Sequence, residues 1–456
     1  MDKCIGEVGG RENFWRKDGI VMKPQKNTLV LAALSGVPFI MVLGNSMLIP
    51  VLPAIKETLH LTQFKVSLLI TLFSIPAGIV IPLAGFLSDR FGRKNVIAPA
   101  LILYGLGGIV AGLAAIFLKN LAYPAILGGR ILQGIGAAGT APIAMALTGD
   151  LFTGKQRGIA LGIIEAANGL GKVVSPILGA LLGLITWYAT FLFFPLVVIP
   201  VVLGLWFLIK EPESNRQAQS VNQYLKSIAR IFEKKSAMLL TSFLGGAAAL
   251  LILFGVLFFL SEHLETIFRL NGVRKGGALA IPVLFMSTTS YLTGRIIKKR
   301  LALMKWLVVG GLALIGGALT MIGFYRTTYL FFIAISLAGI GTGLTLPCLN
   351  TIITSSTATE RRGLVTSLYG GVRFVGVALG PPLFGLLMGY GLPFMFWSMA
   401  ALAGVTALLA AFLIRVRDMK APTATEEKNR PALYTPQPAY GLAAHKPWNP
   451  PDERGP

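Results

Sequence analysis

Charge is scarce in this chain, and acid is scarcest. Only 13% of the 456 residues are charged, about half the ~25% of an ordinary soluble domain. The 19 acidic residues face 41 basic ones, for a net charge of +22. Two cysteines, Cys4 in a polar segment and Cys348 in an apolar run, exclude a disulfide framework. Three scattered histidines, His60, His263 and His445, offer no metal-ligand spacing, so no metal site is expected. The first 28 residues are polar and basic and lack the apolar core of a cleaved signal peptide. What is abundant is apolar sequence: 54% of the residues are hydrophobic, and they fall in long runs. These features together describe a membrane protein.

A bilayer core takes roughly 20 apolar residues in helix. Runs of that size lie near 29–54, 64–88, 95–118, 122–149, 158–184, 188–209, 238–261, 277–297, 303–325, 329–354, 364–389 and 393–414. The expected fold is thus an all-α membrane protein of twelve transmembrane helices in two six-helix halves, 29–209 and 238–415. A charged linker at 210–237 divides them. Residues 1–28 form an N-terminal segment and 416–456 a Pro-rich tail expected to be disordered, to which no function is assigned. With both termini inside, inner segments hold 31 of the 41 Lys and Arg and outer loops hold 7. Positive charge marks the cytoplasmic side, so the basic excess reads as topology and needs no nucleic-acid partner. The expected location is the cell inner (plasma) membrane, spanned many times, with a monomer embedded in lipid.

Between the second and third runs stands Gly85-Phe86-Leu87-Ser88-Asp89-Arg90-Phe91-Gly92-Arg93-Lys94. Glycines and charges so dense at the mouth of a membrane helix are hard to explain by packing. The stretch resembles the major facilitator superfamily signature Gly-x-Leu-Ala-Asp-Arg-x-Gly-Arg-Lys, with Ser88 in place of Ala. The resemblance, which extends over about 29–415, implies a transporter working by alternating access. It also implies that Asp89 approaches the start of helix 11 and latches the halves, with Gly85, Arg90, Gly92 and Lys94 in the gating loop. A pair between Arg93 and Asp150 is expected beside it. The second-half counterpart, Gly294 to Arg300, keeps cations but has no Asp, so any latch is asymmetric.

The halves also repeat. Gly134-Ile-Gly-Ala-Ala-Gly-Thr-Ala-Pro142 aligns with Gly339-Ile-Gly-Thr-Gly-Leu-Thr-Leu-Pro347 at an offset of 205 (339 − 134). The same offset relates Arg157-Gly158 to Arg362-Gly363, and Gly171 and Pro176 to Gly376 and Pro381. A parallel repeat of six-helix halves places a substrate site near the midplane between them. It also disposes of a false lead. Gly134 to Gly139 matches a dinucleotide fingerprint, yet that motif needs a strand before it and a helix N-terminus for the pyrophosphate. Gly171-Lys172 lacks the other residues of a phosphate-binding loop. No nucleotide and no cofactor is expected, the proton gradient being the energy source, and no enzyme activity.

A charge inside a span costs about 2.5–3.5 kcal/mol on insertion scales, so it is paired or functional. Arg130 and Gln133 lie in Arg130-Ile131-Leu132-Gln133-Gly134, which resembles the family's Arg-x-x-Gln-Gly motif, whose arginine faces the cavity and is linked to proton coupling. The competing reading is an arginine snorkelling to the outer interface. Glu165 and Lys172 stand two turns apart in the fifth span, and Glu165 is the one acid well inside a span. It reads as a proton carrier, or else as half of a static ion pair with Lys172 as counter-charge. Arg373 is the repeat equivalent of Asn168 (373 − 205 = 168) and is a candidate for facing the interface. Gly171-x-x-x-Ser175-Pro176-x-x-Gly179-Ala180 resembles the family's antiporter motif with two glycines replaced, and Gly376-x-x-x-Gly380-Pro381 matches its core. The alternative is ordinary helix packing around a proline bend. Ser261-Glu262-His263-Leu264-Glu265 reads as a solvated helix end rather than a pH sensor.

Spans 1 and 7 carry Phe39, Met41, Met47, Phe254, Phe258 and Phe259 with few polar groups, such as Asn45 and Ser46. Adaptable apolar surfaces suit lipophilic substrates. The reading is a proton-coupled drug:proton antiporter exporting amphipathic small molecules, multidrug type. The alternatives are a carrier of one metabolite and a non-transporting receptor on the same fold.

Overall fold

The computed structural model describes residues 24–211, 221–297, 300–324, 328–357 and 362–416. All regular structure among them is helical. The first half contains α1 (Pro24–Ser46), α2 (Leu52–Thr58), α3 (Gln63–Phe91), α4 (Arg93–Phe117), α5 (Ala122–Ala138), α6 (Ala141–Leu151), α7 (Gly154–Ile185) and α8 (Ala189–Leu208). The second contains α9 (Val221–Thr266), α10 (Gly272–Ile297), α11 (Leu301–Phe324), α12 (Thr328–Ser355), α13 (Arg362–Leu387) and α14 (Leu392–Leu413).

Among the described residues, 11 helical segments are long and apolar enough to cross a membrane. The remaining long helix, α10, has 26 residues, about 39 Å at 1.5 Å per residue. It spans by length but carries a polar Ser-Thr-Thr-Ser run, residues 287–290. The span count is therefore 11 by hydropathy and 12 with α10.

Three departures from the apolar runs have local causes. The first run breaks after Ser46 and continues through a 3-10 turn, Ile49–Val51, into α2. Pro50 and Pro53 sit in the first turns of these pieces, where their missing N–H groups cost nothing. The fourth run breaks between α5 and α6, because Thr140 leaves helical geometry at φ −112, ψ −96 ahead of Pro142. The later part of the 210–237 linker is helical and continuous with the seventh span, since α9 starts at Val221.

The two halves pack alike. In the first, α4 lies on α5 and α8, α3 on α5, and α1 on α7 and α8. In the second, α11 lies on α12 and α14, α10 on α12, and α9 on α13 and α14. Each contact has its counterpart. The repeated glycines sit at these crossings: a Cβ on Gly136 would meet Ala100 and Tyr104 of α4, and one on its partner Gly341 would meet Gly311 and Ile315 of α11. Small residues let backbones approach in a membrane, where packing drives association. The Gly134–Gly139 motif lies in helix with no strand before it, and its glycines serve this packing.

The two largest contacts between the halves are α3 with α13 and α7 with α10, and they too are repeat equivalents. Gly78 and Gly371 oppose one another at the α3–α13 crossing, so a Cβ on Gly78 would meet the Gly371 carbonyl at 2.8 Å. Thr71 donates from α3 to the Ala378 carbonyl of α13 at 2.7 Å.

Candidate functional site between the halves

The region between the halves has two ends, here named after Lys56 and Arg93. At the Lys56 end the halves are tied by polar contacts. Lys56 Nζ meets Glu262 Oε1 at 2.6 Å. Ser261 donates to the Ile49 carbonyl and Lys275 to the Pro50 carbonyl, both at 2.7 Å. Lys275 also pairs with Glu265. Ser261 is buried, and His263 stacks on Phe259 with centroids 5.1 Å apart. The reading of 261–265 as a solvated helix end is thus corrected. Its polar groups engage Lys275 at the start of α10, Lys56 on α2 and the turn before α2, the last two more than 200 residues away in sequence.

At the Arg93 end, Gly92 closes α3 and opens α4 at φ +108, a conformation L side chains rarely adopt. Arg93 Nε pairs with Asp150 Oδ2 at 2.5 Å, the expected partner, and reaches Asp89 at 3.6 Å. The start of α13, where a latch with Asp89 is expected, adjoins 358–361, outside the described residues. Glu211 was missed by the sequence reading. Its two oxygens accept from the backbone N–H groups of Arg93 at 2.7 Å and Lys94 at 3.1 Å. A carboxylate there satisfies unpaired donors at the positive end of the α4 dipole. Lys94 Nζ donates to the carbonyls of Trp206 and Ile209. An acid just past a membrane helix was the available signal, but its partner lies 118 residues away.

Between these ends, Arg130 on α5 is fully buried. Its Nε donates to the Leu69 carbonyl at 2.8 Å, one terminal nitrogen to Gln133 Oε1 at 2.7 Å, and the other to Asn45 Oδ1 at 3.2 Å. Asn45 in turn donates to Ser74 Oγ at 2.9 Å. The guanidinium lies 4.4 Å from the Phe73 ring centroid, a cation–π distance. The snorkelling alternative is therefore overturned, because Arg130 turns inward and ties α1, α3 and α5 together. Among the described residues no carboxylate lies within ion-pair range of it. Gln133 Nε2 is buried without a partner.

Glu165, Asn168 and Lys172 follow at spacings of three and four and so share one face of α7. Asn168 Nδ2 donates to Glu165 Oε1 at 3.4 Å, and Glu165 is exposed. Lys172 is half-buried and lies within electrostatic reach of Glu165 and of Arg373 on α13. Arg373 lies 5.4 Å from the Tyr369 ring centroid, and its Nε is buried without a hydrogen-bond partner. The structure thus gathers Glu165, Asn168, Lys172 and Arg373, and keeps Arg130, Gln133 and Asn45 as a separate buried network.

The antiporter-like motifs pack inside each half. A Cβ on Gly171 would meet Phe39 of α1 at 3.1 Å, and Gly179 abuts the Met47 carbonyl. Gly376 and Gly380 abut the Ala247 and Leu251 carbonyls of α9. Ser175 is buried, with its hydroxyl unpartnered. Pro176 and Pro381 lie within continuous helices. The apolar set read as substrate-facing is mostly core. Met47, Phe258 and Phe259 are at most 2% exposed, while Phe39 and Phe254 are half-buried.

With this geometry in hand, likeness to known proteins is informative. The Major Facilitator Superfamily profile matches residues 34–376 and 304–450. The Bacillibactin exporter of Bacillus subtilis (strain 168) is 44% identical over 401 residues, covering 88% of this chain and 98% of that one. Multidrug resistance protein 2 of the same organism is 26% identical, covering 84% and 94%. Among solved structures, a D-xylose-proton symporter superposes with a TM-score of 0.67 at 16% identity, covering 87% of this chain and 99% of that one. The human organic anion transporter MFSD10 superposes at 0.64 and 19%, covering 85% and 100%. At such identities the structures speak to the fold alone.

Proposed function

The chain belongs to the major facilitator superfamily, and from that premise we propose that it is a secondary exporter of a bacillibactin-like small molecule. The observation that carries this is the 44% identity with the Bacillibactin exporter, sustained over 98% of that protein. Multidrug resistance proteins 1 and 2 stand much further off, at 28% and 26%. The weight thus moves from the multidrug reading to a carrier of one molecule. Polyspecific drug efflux is the second reading, supported by those more distant relatives.

In this reading the protein spans the plasma membrane with the Arg93 end facing the cytoplasm, as its basic loops favour. The contacts at the Lys56 end close the outer side, so the halves are poised to receive substrate from within. Export against a gradient draws on protons. Glu165 is the exchangeable carboxylate in this reading, supported by its lying within electrostatic reach of Lys172. Proton binding to Glu165 releases Lys172, and proton loss restores the attraction. Arg130 holds α1, α3 and α5 as one body while the halves rock.

The test is flux through purified protein in liposomes with an imposed pH gradient. Bacillibactin and a panel of lipophilic cationic dyes would be followed, each with and without an uncoupler. Uncoupler-sensitive movement of bacillibactin alone supports the dedicated exporter. Movement of many dyes supports the second reading, and no movement of any compound refutes both.

A further inference from the structure

Four charges lie deep in the spans among the described residues: Arg130, Glu165, Lys172 and Arg373. Three are cations and one is an acid. Arg130 has its own acceptors, Leu69, Gln133 and Asn45, and is closed off from solvent. The other three share the region between the halves, where two cations face one carboxylate. Glu165 accepts from Asn168 and lies in no ion pair among the described residues. The Arg373 Nε is a buried donor with no acceptor among the described residues. A buried charged donor left without an acceptor is strongly disfavoured, so the arrangement calls for an anionic group supplied from elsewhere.

Placement says where that group would bind. Lys172 belongs to α7 in the first half, and Arg373 to α13 in the second. The main packing partners of α13 are α9 and α3, and those of α7 are α10 and α1. α7 and α13 are not main partners of one another, and Lys172 and Arg373 lie within electrostatic reach of each other across the region between the halves. Arg373 is steered into it by stacking on Tyr369, which is pinned against Gly246 of α9 and Phe243.

We propose that Lys172 and Arg373 form a split oxyanion site, one cation from each half, and that the transported molecule is an organic anion. This rests on the exporter reading above and specifies its substrate class. An oxyanion between the two cations supplies the missing acceptor and offsets their mutual repulsion. Because it touches both halves, it favours the state in which they are closed around it.

Binding separates this inference from the transport reading. Purified protein would be titrated with salicylate and with salicylamide, which has the same shape without the carboxylate, and ligand-induced stabilisation against heat recorded. Stabilisation by salicylate at concentrations at least tenfold below those needed for salicylamide is expected. Lys172→Gln and Arg373→Gln should each erase most of that preference. Lys172→Arg and Arg373→Lys, which keep the charge, should retain it and guard against misfolding as the cause. Equal responses to both compounds, or an unchanged preference in both glutamine variants, overturn the proposal. In the liposome assay, carboxyfluorescein and rhodamine 6G would be compared. Gradient-driven movement of the cation alone, with no salicylate preference, sinks the anion site and leaves the exporter standing. A Lys172-dependent salicylate preference without flux sustains the site and removes the exporter.

Discussion

Lys56 and Glu262 are 206 residues apart in sequence, yet their side chains meet at 2.6 Å, one from each half of the bundle. With Lys275 bound to Glu265 and the Pro50 carbonyl, they close one end of the path between the halves. The two closures differ in strength. Lys56 and Glu262 retain 30% and 16% side-chain exposure, and partly exposed pairs contribute about 0.2–1 kcal/mol. Lys275 has only 3% side-chain exposure, so removing it leaves a carboxylate and a carbonyl to find new partners. Glu262→Gln is expected to open this end by up to about fivefold, and Lys275→Ala by more. The readout is maleimide labelling of Val51→Cys, which is 3% exposed and follows Pro50, the carbonyl that Lys275 binds. Cys4→Ser serves as background, with the buried Cys348 as an inert bystander. Equal labelling in all three proteins would refute the closure.

At the seam between α3 and α13, neighbouring glycines should respond in opposite ways. A Cβ on Gly371 would run into the Gly78 carbonyl, a backbone atom that cannot swing aside. A Cβ on Gly370 meets only the side chain of Ile81, at 3.6 Å, an ordinary contact. Gly371→Ala is therefore expected to force the halves apart, costing about 1–3 kcal/mol as overpacking does. Gly370→Ala should be neutral or slightly stabilising. Thermal unfolding in detergent separates the two, and an equal melting temperature for both variants counts against this seam.

Glu165 carries the coupling reading. Glu165→Gln keeps size and hydrogen bonding to Asn168 but cannot exchange a proton. Uphill export should be lost, while downhill exchange and ligand-induced stabilisation persist. Gradient-driven accumulation at the parent rate would remove Glu165 from the proton path.

These features were unequally visible in the sequence. The spans, the repeat and the break at Gly92 were legible because apolar length, glycine spacing and Gly92 act locally. Gly92 ends one helix and starts another by its own backbone conformation. What was illegible depends on distant partners. The Ser261–Glu265 cluster looks solvated until the turn at Ile49 and Pro50 is brought against it. Glu211 looks like a loop acid until α4 presents its first N–H groups. Phe258 and Phe259 look like a substrate surface because hydrophobicity alone does not distinguish a cavity wall from a core. Arg130 was legible as a residue of note, but its inward direction was not, since Leu69 and Asn45 are its neighbours only after α1, α3 and α5 have packed.

That network predicts a hierarchy for Arg130. Arg130→Ala leaves Asn45, Gln133 and a carbonyl without their donor in a buried setting, at about 1–3 kcal/mol for each group that stays unpaired. Membrane hydrogen bonds average nearer 0.6 kcal/mol, so a total of about 2–4 kcal/mol is expected. Arg130→Lys keeps the charge but replaces a planar fork with a single ammonium, which does not reach three helices at once. It should recover under half of the lost stability and little of the transport. A lysine variant matching the parent in both would reduce Arg130 to a charge.

The last prediction concerns the carboxylate that the loop signature does not contain. Glu211 receives two backbone N–H groups at the start of α4, directly after the positive-φ Gly92. Removing a helix cap costs about 0.5–2 kcal/mol, and the charge adds about 0.3–1 kcal/mol through the helix dipole. Glu211→Gln keeps an acceptor oxygen for one of the two N–H groups and loses the charge, so it should cost the dipole part and one of the two hydrogen bonds. Glu211→Ala should cost the dipole part and both hydrogen bonds. Because α4 also carries Arg93, a frayed start would loosen the pair with Asp150. Glu211→Ala should therefore behave as a milder form of Asp150→Asn. Both should raise labelling of cysteines placed at the Arg93 end, in that order, and neither should alter the salicylate preference. If Glu211→Ala melts like the parent, or if Glu211→Gln is as damaging as Glu211→Ala, the cap is not what orders this end of the bundle.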